Sequence, residues 1–525
     1  MRTLVTTEAE DEAAPRRDGE APGWASRLAG LGPLALAGIV VVGVALRFVT
    51  TSSLWLDEAL SVNISALPVG DLFEALEHDG HPPLYYLLLH GWMQVFGEGD
   101  VAVRALSGVF GVATLPLAWI AGRRLAGPSG ARWALAVFAL SPYAIRYSSE
   151  TRMYSLVMLL VLAGYLLLTD ALGAPTPKRL AALALLSGLL LLTHYWSFYL
   201  LGAVGLLLAL RWWRTPAQRP ATAKVLVAMA AGGVLFLPWL PGFLYQAAHT
   251  GTPWGEPFRP TEVISFTLND LGGGVVSEAM LGGTVLVVLA LLALFTVRSS
   301  GHEMALDVRT APTVRLELAV VALTAGLGCL AGYATSATYQ SRYAAVFVPL
   351  FLLAAAVGIT RVPGPARVAA GAVVVVLSLG GIAWQQYYER TQAEEAASAI
   401  AEHAEPGDVV VYCPDQLGPD YSRALNRHVD DVVEVTYPLL SSPERVDWVD
   451  YADRNAAADP AAVAEEVRGR AGGNGIFVVW MSEYRTLEGQ CEGLVNALGM
   501  GQQLVTEDGR RYYEPGNVHW FPGAG

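Results

Sequence analysis

Apolar runs of about 18 residues can cross a bilayer, and the first 390 residues of this chain are built almost wholly from such runs. Candidate spans lie near 33–50, 104–123, 131–148, 153–172, 180–195, 197–213, 223–243, 276–297, 315–335, 343–360 and 367–386, eleven in all. One more apolar stretch, Leu87–Phe96, follows Pro82-Pro83 and lies between two spans that end on the same side. It is too short to cross and is expected as an interfacial or re-entrant helix over 84–96. The pattern changes after the last span. Residues 393–404 and 460–470 have helical composition, Asp408–Cys413 and Ile476–Trp480 read as buried strands, and another helix is expected near 486–498. Alternating helix and strand point to a small α/β unit.

Polar breaks between the spans orient the chain. Arg123, Arg124 and Arg132 share one break, Lys178 and Arg179 a second, and Arg211, Arg214, Arg219 and Lys224 a third. Arg298, Arg309 and Arg315 follow, then Arg361 and Arg367. These are alternate breaks, so the positive-inside rule assigns them to the cytoplasm. Opposite breaks hold few basic residues, chiefly Arg146, Arg152, Arg259 and Arg342. The N-terminus is then cytoplasmic, and an odd number of spans places the C-terminal unit outside. Residues 1–32 are too long and too acidic for a signal-peptide n-region and read as a disordered cytoplasmic arm. The resulting plan is an arm at 1–32, a membrane body at 33–388 with its first outer loop at 51–103, and an extracytoplasmic α/β domain at 389–525.

Composition agrees with this division. The 525 residues are 53% hydrophobic and 15% charged, with a mean hydropathy of +0.40, which excludes an ordinary soluble enzyme. The formal charge of −13 is confined to the tail: residues 391–525 hold 23 acidic and 9 basic residues, a charge of −14, against +1 for the rest. Neither part is a basic nucleic-acid binder. Arginine outnumbers lysine 32 to 2, the mark of a GC-rich bacterial genome, so a bacterial plasma membrane is the expected location. Cys413 and Cys491 sit in the outer domain, as a disulfide or as two buried thiols; Cys329 lies in a span and reads as packing.

Chemistry concentrates in the outer breaks. Asp57 and Glu58 follow the first span directly, and adjacent carboxylates at an apolar boundary are costly unless solvated, paired or functional. They are two interfacial acids facing water, or a general base with its neighbour. Asp79-Gly-His81-Pro-Pro-Leu-Tyr85-Tyr86 holds a histidine beside a rigid Pro-Pro turn. Ser148–Tyr154 packs Glu150, Arg152 and Tyr154 into a tight outer turn; His194 and Tyr195 end the fifth span; Arg342 and Tyr343 open the tenth. An aromatic belt accounts for Trp196 and Tyr199. Arginines on the side depleted of positive charge are harder to dismiss, and their planar forks suit a lipid phosphate at this depth.

In this order, Trp-x-Asp-Glu, His-Pro-Pro-Leu-Tyr-Tyr, Phe-Gly-x-x-x-x-x-x-Arg, Ser-x-Glu-x-Arg-x-Tyr, His-Tyr and Arg-Tyr, the sequence resembles the GT-C superfamily. Its members are polytopic glycosyltransferases that use polyprenyl-phosphate sugars; the protein O-mannosyltransferase and lipid A aminoarabinose transferase-like group (glycosyltransferase family 39-like) is the nearest in type. The resemblance covers roughly 35–360, is strongest over 54–200, and thins to Pro238-Trp239 and Arg342-Tyr343 beyond 240. It implies a GT-C fold of about eleven transmembrane helices with juxtamembrane helices in the first outer loop. The resemblance implies a catalytic base at Asp57 with Glu58 beside it, and an active-site wall formed by His81 and Tyr85. Substrate contacts would come from Arg152, Tyr154, His194, Tyr195, Arg342 and Tyr343. Some relatives carry Lys where this chain has His81. Some place a histidine and a carboxylate around a divalent metal, for which His194 is the candidate, although no paired ligand spacing is present.

The expected partners are a polyprenyl-phosphate-linked sugar donor, membrane lipids, and an acceptor protein, lipid or cell-wall glycan, with no nucleic acid. The expected reaction is transfer of the sugar to an acceptor hydroxyl at the outer face, with inversion. Two alternatives stand beside it: a lipid-linked sugar transporter or flippase, and a membrane scaffold whose C-terminal domain binds a partner.

Overall fold

A computed structural model describes residues 23–523 apart from Trp254, Val275, residues 301–302, Pro363 and Glu483. The membrane body begins with α1 (Gly23–Leu46), so the helix starts earlier than the apolar run; the arm before it lies outside the described residues. Three short helices follow, α2 (Leu56–Ala66), α3 (Val69–Asp79) and α4 (Leu84–Phe96). Gly80 closes α3 in the left-handed region (φ 91°), a conformation that costs glycine little. The chain there turns into Pro82-Pro83 and the mouth of α4. Among the residues of α4, Tyr85, Tyr86, Leu89 and Met93 are buried while Leu88, Val95 and Phe96 are exposed. This one-sided burial fits the expected interfacial helix.

The long helices are α5 (Asp100–Ala139), α6 (Pro142–Ser148), α7 (Tyr154–Gly173), α8 (Pro177–Thr193), α9 (Ser197–Arg214), α10 (Arg219–Gly232), α11 (Leu240–His249), α12 (Pro260–Leu271), α13 (Ala279–Leu294), α14 (Arg315–Thr335), α15 (Val348–Arg361) and α16 (Gly364–Tyr387). Each of the eleven apolar runs coincides with helix. Five stretches are long and apolar enough to cross a membrane by length and composition, with shorter apolar helices at Gly32–Leu46, Ala279–Leu294 and Val348–Arg361. Where helix and run differ, proline and glycine account for it. Non-helical Ala126 and Gly127, just before Pro128, break α5 into two arms, and the backbones of Gly122 and Gly130 touch across the break. Pro142 separates α6 from α5, and a 3₁₀ stretch over Gly233–Trp239, containing Pro238, joins α10 to α11. A hairpin of β1 (Phe295–Ser300) and β2 (Glu303–Thr310) links α13 to α14.

The C-terminal domain follows directly from α16. β3 (Glu389–Thr391) leads into α17 (Ala393–Ala401), β4 (Val409–Cys413), α18 (Gly418–Leu425), β5 (Val433–Thr436), α19 (Tyr451–Ala456), α20 (Pro460–Ala471), β6 (Ile476–Trp480), α21 (Gln490–Leu498), β7 (Gln502–Val505), β8 (Tyr512–Glu514) and β9 (Asn517–Phe521). Five strands form one sheet in the order β5-β4-β6-β9-β7, parallel at β5-β4-β6 and antiparallel on the β9 side. Along β4, Val409, Val411 and Cys413 face α20 and α21, and Val410 and Tyr412 face α17 and α18. Such period-2 division between two helical layers explains why β4 is apolar throughout. Cys413 and Cys491 form a disulfide joining the sheet to α21, with Cα atoms 5.6 Å apart. The helix expected near 486 starts only at Gln490, because Thr486 and Gly489 are in the left-handed region.

Apart from that sheet, β3 and β8 pair with each other as a parallel two-stranded strap. The domain sits against α2 and the ends of the first loop. Trp448, Val446 and Tyr451 pack on Trp55, Leu56 and Leu60, and Arg423 and Arg427 pair with Asp100 at 3.1 and 2.7 Å.

Candidate active site

Asp57 and Glu58 occupy the first turn of α2, where the helix dipole favours negative charge. Consecutive helical residues point about 100° apart, and here the two carboxylates separate completely. Glu58 is fully buried. Arg104 donates from Nε to Oε1 at 2.8 Å and from Nη2 to Oε2 at 2.6 Å; the Thr151 amide adds a bond of 2.8 Å, and Arg390 Nη1 one of 3.3 Å. Burial pushes the Glu58 carboxyl up, but Arg104 and Arg390 outweigh it and hold the group down at about 2. Its oxygens are filled by four donors from three other segments.

Asp57 points the other way. Its side chain stays 15% exposed, with Oδ2 at 3.0 Å from Arg342 Nη1 and 3.8 Å from Arg152 Nε. Arg152 is buried and held rigidly: Nη1 donates to Ser61 Oγ at 2.9 Å and to the Asp57 carbonyl at 3.2 Å, and Nη2 lies 2.8 Å from His81 Nε2. Arginine can only donate, so His81 Nε2 accepts, and Nδ1–H is assigned as donor to Asp79 Oδ2, 2.8 Å away. The Tyr86 hydroxyl donates to the same oxygen at 2.8 Å. Burial raises the Asp79 carboxyl, yet His81, Arg152 and Tyr86 together bring it below its ordinary value. His81 is thus locked between an acid and an arginine.

Arg342 has capacity to spare. Its guanidinium stacks 5.5 Å from the Trp55 ring, and its Nε, like that of Arg152, is buried without a hydrogen-bond partner. Tyr343, Tyr154 and His194 form an aromatic cluster beside it, with ring separations of 5.4 Å (His194–Tyr343) and 5.7 Å (Tyr154–His194). The Tyr154 hydroxyl is buried and unpartnered. His194 Nδ1 accepts from the Trp196 amide at 3.1 Å. Among the described residues no group of three His, Cys, Asp or Glu side chains is placed to hold a metal, and the rings around His194 do not fit a ligand set.

Two of the sequence candidates stand apart from Asp57. Tyr85 is fully buried against α5, its hydroxyl 2.9 Å from Ser107 Oγ, which donates to the Arg152 carbonyl at 3.0 Å. The Tyr195 hydroxyl meets Gln246 and Trp239 instead, and Gln246 Nε2 reaches the His81 carbonyl at 3.3 Å. Both support the walls from behind.

Residues outside the expected substrate contacts complete the rim. Arg146 pairs with Glu150 at 3.3 Å and Asp270 at 3.5 Å. Arg390 reaches Glu58 at 3.3 Å and Glu150 at 3.8 Å. Arg390 had a legible signal, an arginine on the side poor in basic residues, like Arg152 and Arg342. Tyr513 of β8 had none: its ring meets Trp55 edge-on at 5.4 Å and lies 5.8 Å from the Arg146 guanidinium.

The overall fold that holds this mostly shielded acid between two arginines is shared with known structures. ArnT from Cupriavidus metallidurans in the apo state superposes with a TM-score of 0.60 at 11% identity, covering 95% of this chain and 98% of that one. The same protein bound to undecaprenyl phosphate gives 0.54 at 12% identity, covering 94% and 98%. The chain has the GT-C fold. Residues 80–241 also match the family model described as dolichyl-phosphate-mannose-protein mannosyltransferase, so this GT-C chain carries that family's pattern from the His81 turn through Tyr195. No curated protein sequence matches it significantly. The two GT-C structures match over nearly their whole length, C-terminal domain included, although the family model stops at 241.

Proposed function

We propose that this GT-C glycosyltransferase moves a sugar from a polyprenyl-phosphate carrier to an acceptor hydroxyl on the extracytoplasmic face, with Asp57 as general base. The observation that carries the proposal is the ion pair of Asp57 with Arg342, 3.0 Å long and mostly shielded at the rim, in which Arg342 Nε is left without a partner. A phosphate is the ligand that a second guanidinium edge recognises. The ArnT structure with undecaprenyl phosphate supports a donor of that chemistry. The face is assigned from the alternation of arginine-rich breaks, which leaves the Asp57 end on the side poor in positive charge.

In this mechanism the carrier tail lies among the spans and its phosphate at the rim. The Asp57 carboxylate takes the proton of the acceptor hydroxyl as the hydroxyl oxygen attacks the anomeric carbon. The bond from that carbon to the phosphate oxygen breaks, and the electron pair leaves with the carrier phosphate. Arg342 and Arg152 stabilise the charge that grows there. A single displacement inverts the anomeric centre. Glu58 acts through others: it positions α2 against α5 and the 148–154 turn. Charged groups gather at one end of the body, which favours transfer there over transport through a midplane site.

The test is Asp57→Asn in native membranes supplied with labelled polyprenyl-phosphate sugar. Loss of transfer with donor binding retained is expected; transfer near the wild-type rate removes Asp57 as the base. Mass spectrometry of surface glycans from a deletion strain, complemented with wild type or Asp57→Asn, then identifies the sugar and the acceptor.

A further inference from the structure

The strap formed by β3 and β8 places the C-terminal domain over the rim. Its register pairs Glu389 with Tyr512 and Thr391 with Glu514, so Arg390 and Tyr513 lie side by side between those pairs. Strand alternation sends residues 512 and 514 inward, where both are buried, and leaves Tyr513 46% exposed. Arg390 is fully occupied by Glu58, Glu150 and Ser149. Tyr513 is not: among the described residues its hydroxyl has no side-chain hydrogen bond, while its ring meets Trp55 and the Arg146 guanidinium.

Its neighbours tie it to the site: Trp55, which its ring meets edge-on, also carries the Arg342 guanidinium at 5.5 Å, and Arg342 pairs with Asp57 at 3.0 Å. Desolvation raises the Tyr513 phenol while Arg342, Arg146 and Asp57 all act on it electrostatically, although nearly half of the side chain remains accessible. Tyr513 thus offers an accessible aromatic ring beside the edge of Trp55 and the guanidinium of Arg146. An aromatic face beside charged hydrogen-bonding groups matches a sugar ring, which has an apolar C–H face and a rim of hydroxyls.

We propose that Tyr513 is a sugar-binding residue supplied by the C-terminal domain, stacking on a hexose ring while Trp55 and Arg146 complete the subsite beside Asp57. The active site is then composite, and the outer domain takes part in substrate selection. This rests on the glycosyltransferase reading above and names the contact that distinguishes one sugar from another. The ring recognised belongs either to the donor or to a glycan acceptor; the chemistry is common to both.

The experiment uses the purified full-length protein and its Tyr513→Ala and Tyr513→Phe variants. Each is titrated with bare undecaprenyl phosphate and with the same carrier bearing mannose, glucose or galactose, and acceptor KM is measured in membranes. If the donor sugar is recognised, wild type binds one sugar-bearing carrier more tightly than the bare carrier. Tyr513→Ala then loses that preference, by about tenfold, and Tyr513→Phe retains it, with affinity for the bare carrier unchanged. If an acceptor sugar is recognised, the preference survives and the acceptor KM of Tyr513→Ala rises by a similar factor. Binding of bare carrier by wild type, with neither preference nor acceptor KM altered in Tyr513→Ala, overturns the subsite. Failure of wild type to bind any carrier overturns the glycosyltransferase reading itself. An unchanged melting temperature in Tyr513→Phe, and a matched unfolding profile in Tyr513→Ala, separate recognition from folding.

Discussion

Arg104 grips Glu58 through two hydrogen bonds, 2.8 and 2.6 Å long, with both side chains buried. The pair fastens α2 to α5 and so sets the direction in which the next carboxylate, Asp57, can point. Removing one member of a buried pair strands the other. Glu58→Gln is therefore expected to lower stability by about 3–5 kcal/mol, seen as a lower melting temperature in detergent, while the fraction that remains folded still binds donor. The sign with pH follows from the depressed pKa. The contribution of Glu58 is present above the ordinary carboxylate value of 4.5 and is lost as pH falls toward about 2.

Arg342 is expected to act on the donor rather than on folding. Arg342→Ala should raise the donor KM on the order of 10- to 100-fold, the worth of a charged hydrogen bond in a shielded site. Arg342→Lys should recover only part of it, since an ammonium lacks the second edge that Nε supplies. Initial rates against donor concentration test both, and an unchanged donor dependence in Arg342→Ala sinks the assignment.

Docking of the C-terminal domain is expected to weaken as pH rises. Asp420 and Glu514 are buried; Asp420 accepts from Thr391 at 2.6 Å and Glu514 from the Leu56 amide at 3.1 Å. Desolvation lifts Asp420 to about 7 and raises Glu514, which the neighbouring Asp420 carboxylate pushes up further. A raised pKa adds stability below the unfolded value, lost as pH climbs through the folded one. Limited proteolysis of the domain should accelerate between pH 5 and pH 8, and Asp420→Asn should flatten that profile. An equally steep profile in the variant refutes the assignment.

The Cys413–Cys491 bridge spans 78 residues. By the loop-entropy relation its removal should cost about 4 kcal/mol, concentrated in the C-terminal domain. Chemical unfolding of the wild type and of the double variant Cys413→Ala, Cys491→Ala measures it; equal midpoints would show that the bridge does not hold the domain together.

Much of the membrane body was legible because span length and loop charge are local properties. A run such as 153–172 is helical with no help from its neighbours, since a bilayer satisfies no backbone polar group. The short motifs around Asp57, His81, Arg152 and Arg342 were legible for the same reason: charges at an apolar boundary stand out. The C-terminal domain was harder. β7, β8 and β9 are three to five residues long, with burial decided by partners far along the chain, so no local period marks them.

The sequence by itself determined the apolar bundle, the acidic C-terminal unit and the chemical types gathered at one face. Only the tertiary structure decided which of two adjacent acids is available. Asp57 and Glu58 are equivalent in composition and position, and a turn of one helical residue buries one under Arg104 and Arg390 while leaving the other beside Arg342. It also brought Tyr513 over Trp55, more than 450 residues away in the chain. Both outcomes depend on side-chain direction and long-range packing, which no stretch of sequence encodes locally.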